Sequence, residues 1–388
     1  MQHWFQQEDF LRNPFPYYAR MRAESPLRPD EAMGWVAFGH REVSALLREA
    51  RLSSAVAPIF MAKVPAVLRL VCRNLEETLA DLLLYMDPPR HTWLKNAVSP
   101  MLAPAAVRAQ EARVRAVVDE LLPSHPGSWD VIDGLADELP LRVVAGMLGL
   151  DVDPLRTWSH HLFAFLGSDR AVPEEILSTA RLAGELRTWF IEHIRARRRA
   201  PQADLLSELV GQGLSDEDVA DLAAVLVAAG DNTAGLIGNG VLTLLEHRDA
   251  WDDLCQQPDG LDTVLEELLR FAGPSQSVPR LALEDFDYEG HQIRKGQVLL
   301  LFISSANRDS SRYECGDEFW PTRAPQRHLA FGGGLHFCVG ATLARLEVRV
   351  ALEQLLARFP GTTLEGEPER YLNLAWRRLK HLPVRLDA

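Results

Sequence analysis

A mainly α protein with a small β portion is what this sequence predicts, and three stretches carry the prediction. From Ser215 to Arg248, Val219, Leu222, Leu226, Ile237 and Val241 recur at helical spacing, enough for roughly 50 Å of helix. Pro173 to Arg199 repeats that amphipathic pattern. By contrast, Ser277–Leu283, Phe286–Ile293 and Gln297–Phe302 alternate with a period of two, the signature of half-buried strands.

Taken in order, Asn13 to Arg28 reads as a turn and a short helix ending at Ser25-Pro26. Gly34–Phe38 reads as a strand and His40–Glu49 as a helix, and residues 55–85 are mixed, with helical periodicity from Leu68 to Leu84. Asp87-Pro88-Pro89 opens a further helix, because proline in a first turn gives up no needed hydrogen bond. On that helix His91 and Lys95 share a face. Ala105–Leu122 is amphipathic, and Trp129–Arg170 reads as helix throughout. The Arg195-to-Arg199 run reads as a solvated basic end, and His160 and His161 as surface or pocket lining. Ser215 caps the long helix, with Asp216, Glu217 and Asp218 in its first turn. Leu261–Ala272 is a helix stopped by Gly273-Pro274, and Gly361–Ala388 a hairpin with Leu374, Ala375 and Trp376 at its tip. The β-rich parts fall at about 30–60, 275–305 and 361–388 of one domain spanning 1–388, without an internal repeat.

The 388 residues carry a net charge of −13, which argues against nucleic acid or an anionic membrane surface as partner. Four cysteines, far apart, form no metal ribbon or disulfide framework and suit a reducing cytoplasm. No run reaches the ~18 apolar residues of a membrane span, and no membrane is expected as partner.

The chemistry concentrates at Cys338, which follows Gly332, Gly333 and Gly334 and precedes an apolar-periodic helix. Amides at a helix start favour a thiolate, and the glycines let the backbone run close to something flat. Phe331 and Phe337 add aromatic surface, and His336 adds a donor. Such a set suits a thiolate axial ligand to haem. The stretch resembles the cytochrome P450 family, whose signature Phe-Gly-x-Gly-x-His-x-Cys-x-Gly is met by Phe331, Gly332, Gly334, His336, Cys338 and Gly340.

The resemblance implies the P450 fold: a mostly α lobe, a smaller β lobe, and haem b between the long central helix and the Cys338 loop. It assigns His91, Lys95, Arg280 and His336 to the haem propionates, with Lys95 a departure where the family usually has arginine, so that a point charge replaces a bidentate fork. Glu267 and Arg270 match the family's buried Glu-x-x-Arg pair, with Arg323 as third member, and Ala306-Asn307-Arg308-Asp309 is a further family motif. In the central helix, Ala228-Ala-Gly-Asp231 resembles the oxygen-binding segment in which small residues precede an acid and then an alcohol. Asp231 then matches the acid and Asn232 stands where the alcohol is expected, with Thr233 one residue later. A second frame makes Asn232 the acid's replacement and Thr233 the alcohol. Apart from catalysis, an acid in this apolar stretch implies a buried pair with a basic side chain.

The function implied is a monooxygenase placing one atom of O2 into a small apolar organic substrate, fed by a separate ferredoxin or flavodoxin with its reductase. Ala224, Val227, Ala228 and Val278 are the expected pocket lining. Asn232 keeps open an atypical oxidation such as desaturation, coupling or peroxide use, and a haem-thiolate sensor without turnover is the alternative of another class.

Overall fold

The computed structural model describes residues 4–167 and 172–387, so the ends of two expected elements, at Arg170 and Ala388, lie outside the described residues. Eight helices position the site: α1 (Arg73–Asp81), α2 (Arg90–Val98), α3 (Glu138–Leu148), α4 (Val152–Gly167), α5 (Pro173–Arg199), α6 (Asp216–Glu246), α7 (Leu261–Ala272) and α8 (Ala341–Arg358). The central one is α6, with α3, α4, α5, α7 and α8 packed around it. Ser215 caps it, its hydroxyl accepting from the Asp218 amide at 3.0 Å. Its length and hydropathy would also suit a membrane span, contrary to the expectation from sequence. Val219–Val227 and Thr233–Leu244 are instead buried within this core.

Twelve strands are described: β1 (Leu27–Asp30), β2 (Gly34–Ala37), β3 (Leu52–Ser53), β4 (Gly127–Asp130), β5 (Val278–Ala282), β6 (Phe286–Tyr288), β7 (His291–Ile293), β8 (Val298–Leu301), β9 (Thr363–Leu364), β10 (Glu369–Arg370), β11 (Leu379–His381) and β12 (Pro383–Leu386). The main sheet runs β1-β2-β8-β5-β3. The expected antiparallel β5–β8 sheet is part of it, but β8 also runs parallel to β2, while β6 and β7 form a separate ribbon. One side of the sheet is closed by an aromatic cluster that joins the N-terminal segment to the end of β8, in which Phe38 stacks on Phe302 at 4.7 Å.

Three further readings are corrected. Trp129 lies in β4, which pairs with β12 some 250 residues later, a register that local periodicity cannot show. Ala105–Leu122 divides into Pro104–Ala109 and Glu111–Leu121. In the basic run ending α5, Arg197 is buried, its Nε 2.7 Å from Asp204, because the residue carrying α5 past Gly149 also donates to that glycine's carbonyl.

Candidate active site

The Cys338 loop is held by its own backbone. The Cys338 amide donates to the Phe331 carbonyl at 2.9 Å, and the Gly332 amide to Leu329 at 2.8 Å. Gly332 (φ 72°) and Gly334 (φ 66°) occupy the left-handed region. A Cβ on Gly334 would also sit 2.9 Å from the Leu47 carbonyl oxygen. Gly340, ahead of α8, turns its amide onto the Cys338 sulfur. Burial nevertheless pushes the Cys338 thiol up, against the pull of that amide, Lys95 and Arg345. A cation held on the sulfur would oppose that burial and favour the thiolate.

Facing this loop, α2 presents His91, buried and with no partner at Nδ1. The His336 ring lies 4.1 Å from it, and burial, His91, Arg280 and Lys95 push His336 down to about 3, so it is neutral. Arg280, on β5, is buried, and among the described residues its hydrogen-bond partner is the Pro279 carbonyl at 2.9 Å. Burial lowers it to about 10 despite Asp87 and Tyr85 nearby. Lys95 reaches the same loop: its Nζ binds the Leu335 and Phe337 carbonyls at 2.5 and 2.9 Å, bracing it. An unmet imidazole nitrogen and a buried guanidinium without a carboxylate are what two propionates would satisfy, and the thiol offers one soft ligand. The residues present fit haem.

Along α6 the burial is interrupted at Ala228–Asn232, where Ala229 is exposed between two buried half-helices. By helical period the face centred on Ala229 includes Val225, Asn232 and Thr233 one turn away. Asn232 there accepts from the Ser275 hydroxyl at 3.4 Å. The Thr233 hydroxyl donates to Glu347 of α8, whose carboxyl is buried and pushed up to about 8 by that burial.

Asp231 lies half a turn round, on the other side of α6. It accepts from Arg378 at 2.6 Å and from Ser159 at 2.7 Å, and Arg378 also binds Asp137. Burial raises Asp231, opposed by Arg378. With Val227, Gly230, Ala234 and His160 these groups line a polar chamber of about 30 Å³, room for one water. Asp137 is driven up by burial but held down on balance by His160 and Arg378, and the same contact raises His160. Val227, expected to line the substrate pocket, thus faces this chamber, because it stands two residues and so roughly 200° from Ala229 on the helix. Ala224 is buried at 8% exposure, Ala228 borders the open face, and Val278 shares a strand face with Arg280.

Beneath the loop Glu267 binds Arg270 through two 2.7 Å contacts and Arg323 through two of 3.2 Å, all three buried. Arg270 also donates to the Asn307, Gly316 and Glu318 carbonyls. Sequence reasoning missed Glu347, Arg378, Asp137 and Ser159. Only Glu347 left a signal, a carboxyl on the apolar stripe of α8 in line with Leu343 and Ala351.

Comparison with known proteins agrees with this geometry. The family model described as Cytochrome P450 matches residues 241–376. The polyketide biosynthesis cytochrome P450 PksS of Bacillus subtilis is 30% identical over 408 residues, covering 98% of this chain and 97% of its own. The cytochrome P450 monooxygenase PikC of Streptomyces venezuelae is 33% identical over 404 residues, covering 97% and 92%. Among solved structures, P450BioI in complex with hexadec-9Z-enoic acid ligated acyl carrier protein superposes with a TM-score of 0.91 at 30% identity, covering 98% of this chain and 100% of that one. With relatives this similar along almost its whole length, the chain belongs to the cytochrome P450 family, and is a monooxygenase that carries haem on a cysteine thiolate and uses dioxygen.

Proposed function

We propose that this enzyme inserts one oxygen atom of O2 into a C–H or C=C bond of a small, largely apolar molecule of secondary metabolism. Its electrons come from a separate ferredoxin or flavodoxin with its reductase, and it works in the cytoplasm, as its four free cysteines suit. The observation that carries this reading is the open face of α6, where Ala228 and Ala229 offer small apolar surface and Asp231 is turned away. PksS, by its name, acts in polyketide biosynthesis, and a polyketide is the substrate class favoured here. An acyl chain on a carrier protein is a second reading, favoured by the P450BioI complex.

Haem on a thiolate supplies the activation of dioxygen. The residues of this chain do the rest. Cys338, with the Gly340 amide on its sulfur, would hold the haem iron, His91 and Arg280 would hold the propionates, and Lys95 fixes the loop. Ala224, Ala228 and Val278 shape the apolar pocket. Asp231 accepts from Arg378 and Ser159 on the chamber side; rotating from Arg378 towards Asn232 and Thr233 would bring its carboxyl to the open face, where it can relay a proton. Asn232, an amide where an alcohol is expected, keeps desaturation, coupling or peroxide use as the alternative outcome.

The reduced, CO-treated protein is expected to show a Soret band shifted far to the red, lost in Cys338→Ala. Polyketide-like lactones, free fatty acids and carrier-ligated fatty acids are then scored by spin-state shift and oxygenated product. A band unaltered in Cys338→Ala refutes the ligand assignment, and binding without an oxygenated product refutes the reaction.

A further inference from the structure

Behind the cysteine loop lies a charge pair that the site as described does not use. Glu266 of α7 reaches two partners. The Arg345 guanidinium, on α8, binds it in a fork, Nε to Oε1 at 2.5 Å and the second nitrogen to Oε2 at 3.1 Å. His328, buried at the start of the loop, donates from Nε2 to Oε2 at 3.1 Å. The His328 Nδ1 accepts from the Ala330 amide at 3.2 Å, which fixes the neutral tautomer with hydrogen on Nε2. The cluster therefore holds one cation and one anion.

The pair is aimed at the loop. The Arg345 guanidinium carbon stands 4.5 Å over the Phe331 ring, close enough for a cation–π contact. Phe331 in turn accepts the Cys338 amide, and its ring faces Phe337 at 6.3 Å. The guanidinium thus packs on the residue whose carbonyl holds the Cys338 amide, and its own field pulls the Cys338 thiol down. His328 and Arg345 together hold Glu266 at about 2 despite burial, so it is an anion at any working pH. Arg345 and Glu266 are only about one-third exposed, so solvent screens them incompletely.

We propose that Glu266 is a positioning residue that fixes Arg345 and His328 against Phe331, and that this ion pair sets the one-electron reduction potential of the haem on Cys338. The proposal rests on the haem-thiolate reading above. Arg345 favours the electron-rich reduced state, and Glu266 offsets part of that effect while holding the guanidinium in place. The two charges therefore act in opposite directions, which a purely mechanical brace would not do.

The test is a mediated redox titration of haem-loaded wild type, Glu266→Gln, Arg345→Gln, Arg345→Lys and the double variant. At fixed poise Glu266→Gln is expected to raise the reduced-to-oxidised ratio about three- to tenfold, and Arg345→Gln to lower it by a similar factor, tenfold being about 59 mV for one electron. The double variant is expected near wild type, and Arg345→Lys to restore part of the loss. Shifts of the same sign in both single variants, or ratios within twofold of wild type, overturn the proposal and leave a structural brace. If Glu266→Gln does not fold, the two Arg345 variants decide alone. A wild-type protein that takes up no haem overturns the reading beneath the proposal, whereas loaded variants with unmoved potentials overturn only the proposal.

Discussion

Glu347 shows what a single side chain contributes here. Its carboxyl is buried against α6, with Thr233 as donor and Oε1 without a partner. Burial raises it from an ordinary value near 4.3 to about 8, so the folded protein binds this proton more tightly than the unfolded chain. Its contribution is then full below about pH 4.3 and is lost as pH rises through about 8. Glu347→Gln keeps the shape and cannot ionise. It is expected to match the parent near pH 4 and to exceed it by on the order of 4 kcal/mol at pH 8, read as denaturant midpoints. An equal difference at both pH values would show that Glu347 does not ionise in this range. The residue types at Cys338, His91 and Arg280 could be read from the chain because a motif names them. The side on which Asp231 sits could not, since Arg378 and Asp137 reach it from remote segments.

At the level of elements, α6 distributes its glycines by what lies against them. A Cβ on Gly235 would stand 2.8 Å from the Cβ of Pro274, a rigid ring at the end of α7. At Gly230 the nearest atom, the Cβ of Pro140, lies at an ordinary 3.4 Å. Gly235→Ala is thus expected to cost about 1–3 kcal/mol through overpacking. Gly230→Ala gains up to about 1 kcal/mol of helix propensity. Urea titration of the haem-loaded variants checks both signs, and a stabilised Gly235→Ala would contradict the close contact with Pro274. Helix periodicity predicted α5, α6 and α7 nearly to the residue, because each buries a continuous stripe. It missed β4, whose pairing energy comes entirely from β12.

For the molecule as a whole, haem joins parts that are remote in sequence: the loop of Cys338, His91 on α2, Arg280 on β5 and the open face of α6. Removing it is expected to lower the melting temperature by about 5 °C or more, since a ligand at 1,000 times its Kd contributes about 4 kcal/mol to a chain of this size. Paired thermal scans of haem-loaded and haem-extracted protein measure it, and equal melting points would show that haem is not a folding ligand. By itself the sequence determined the helical lobe, the strand-rich segments, the cysteine loop and the family, because periodicity, caps and a six-residue signature are local properties of the chain. Only the tertiary structure decided that Val227 and Asp231 face a polar chamber, that Lys95 braces the loop, and that Glu266 holds Arg345 over Phe331. Those facts depend on which remote side chains meet, and a charge shows its partner only once the fold has taken both out of water.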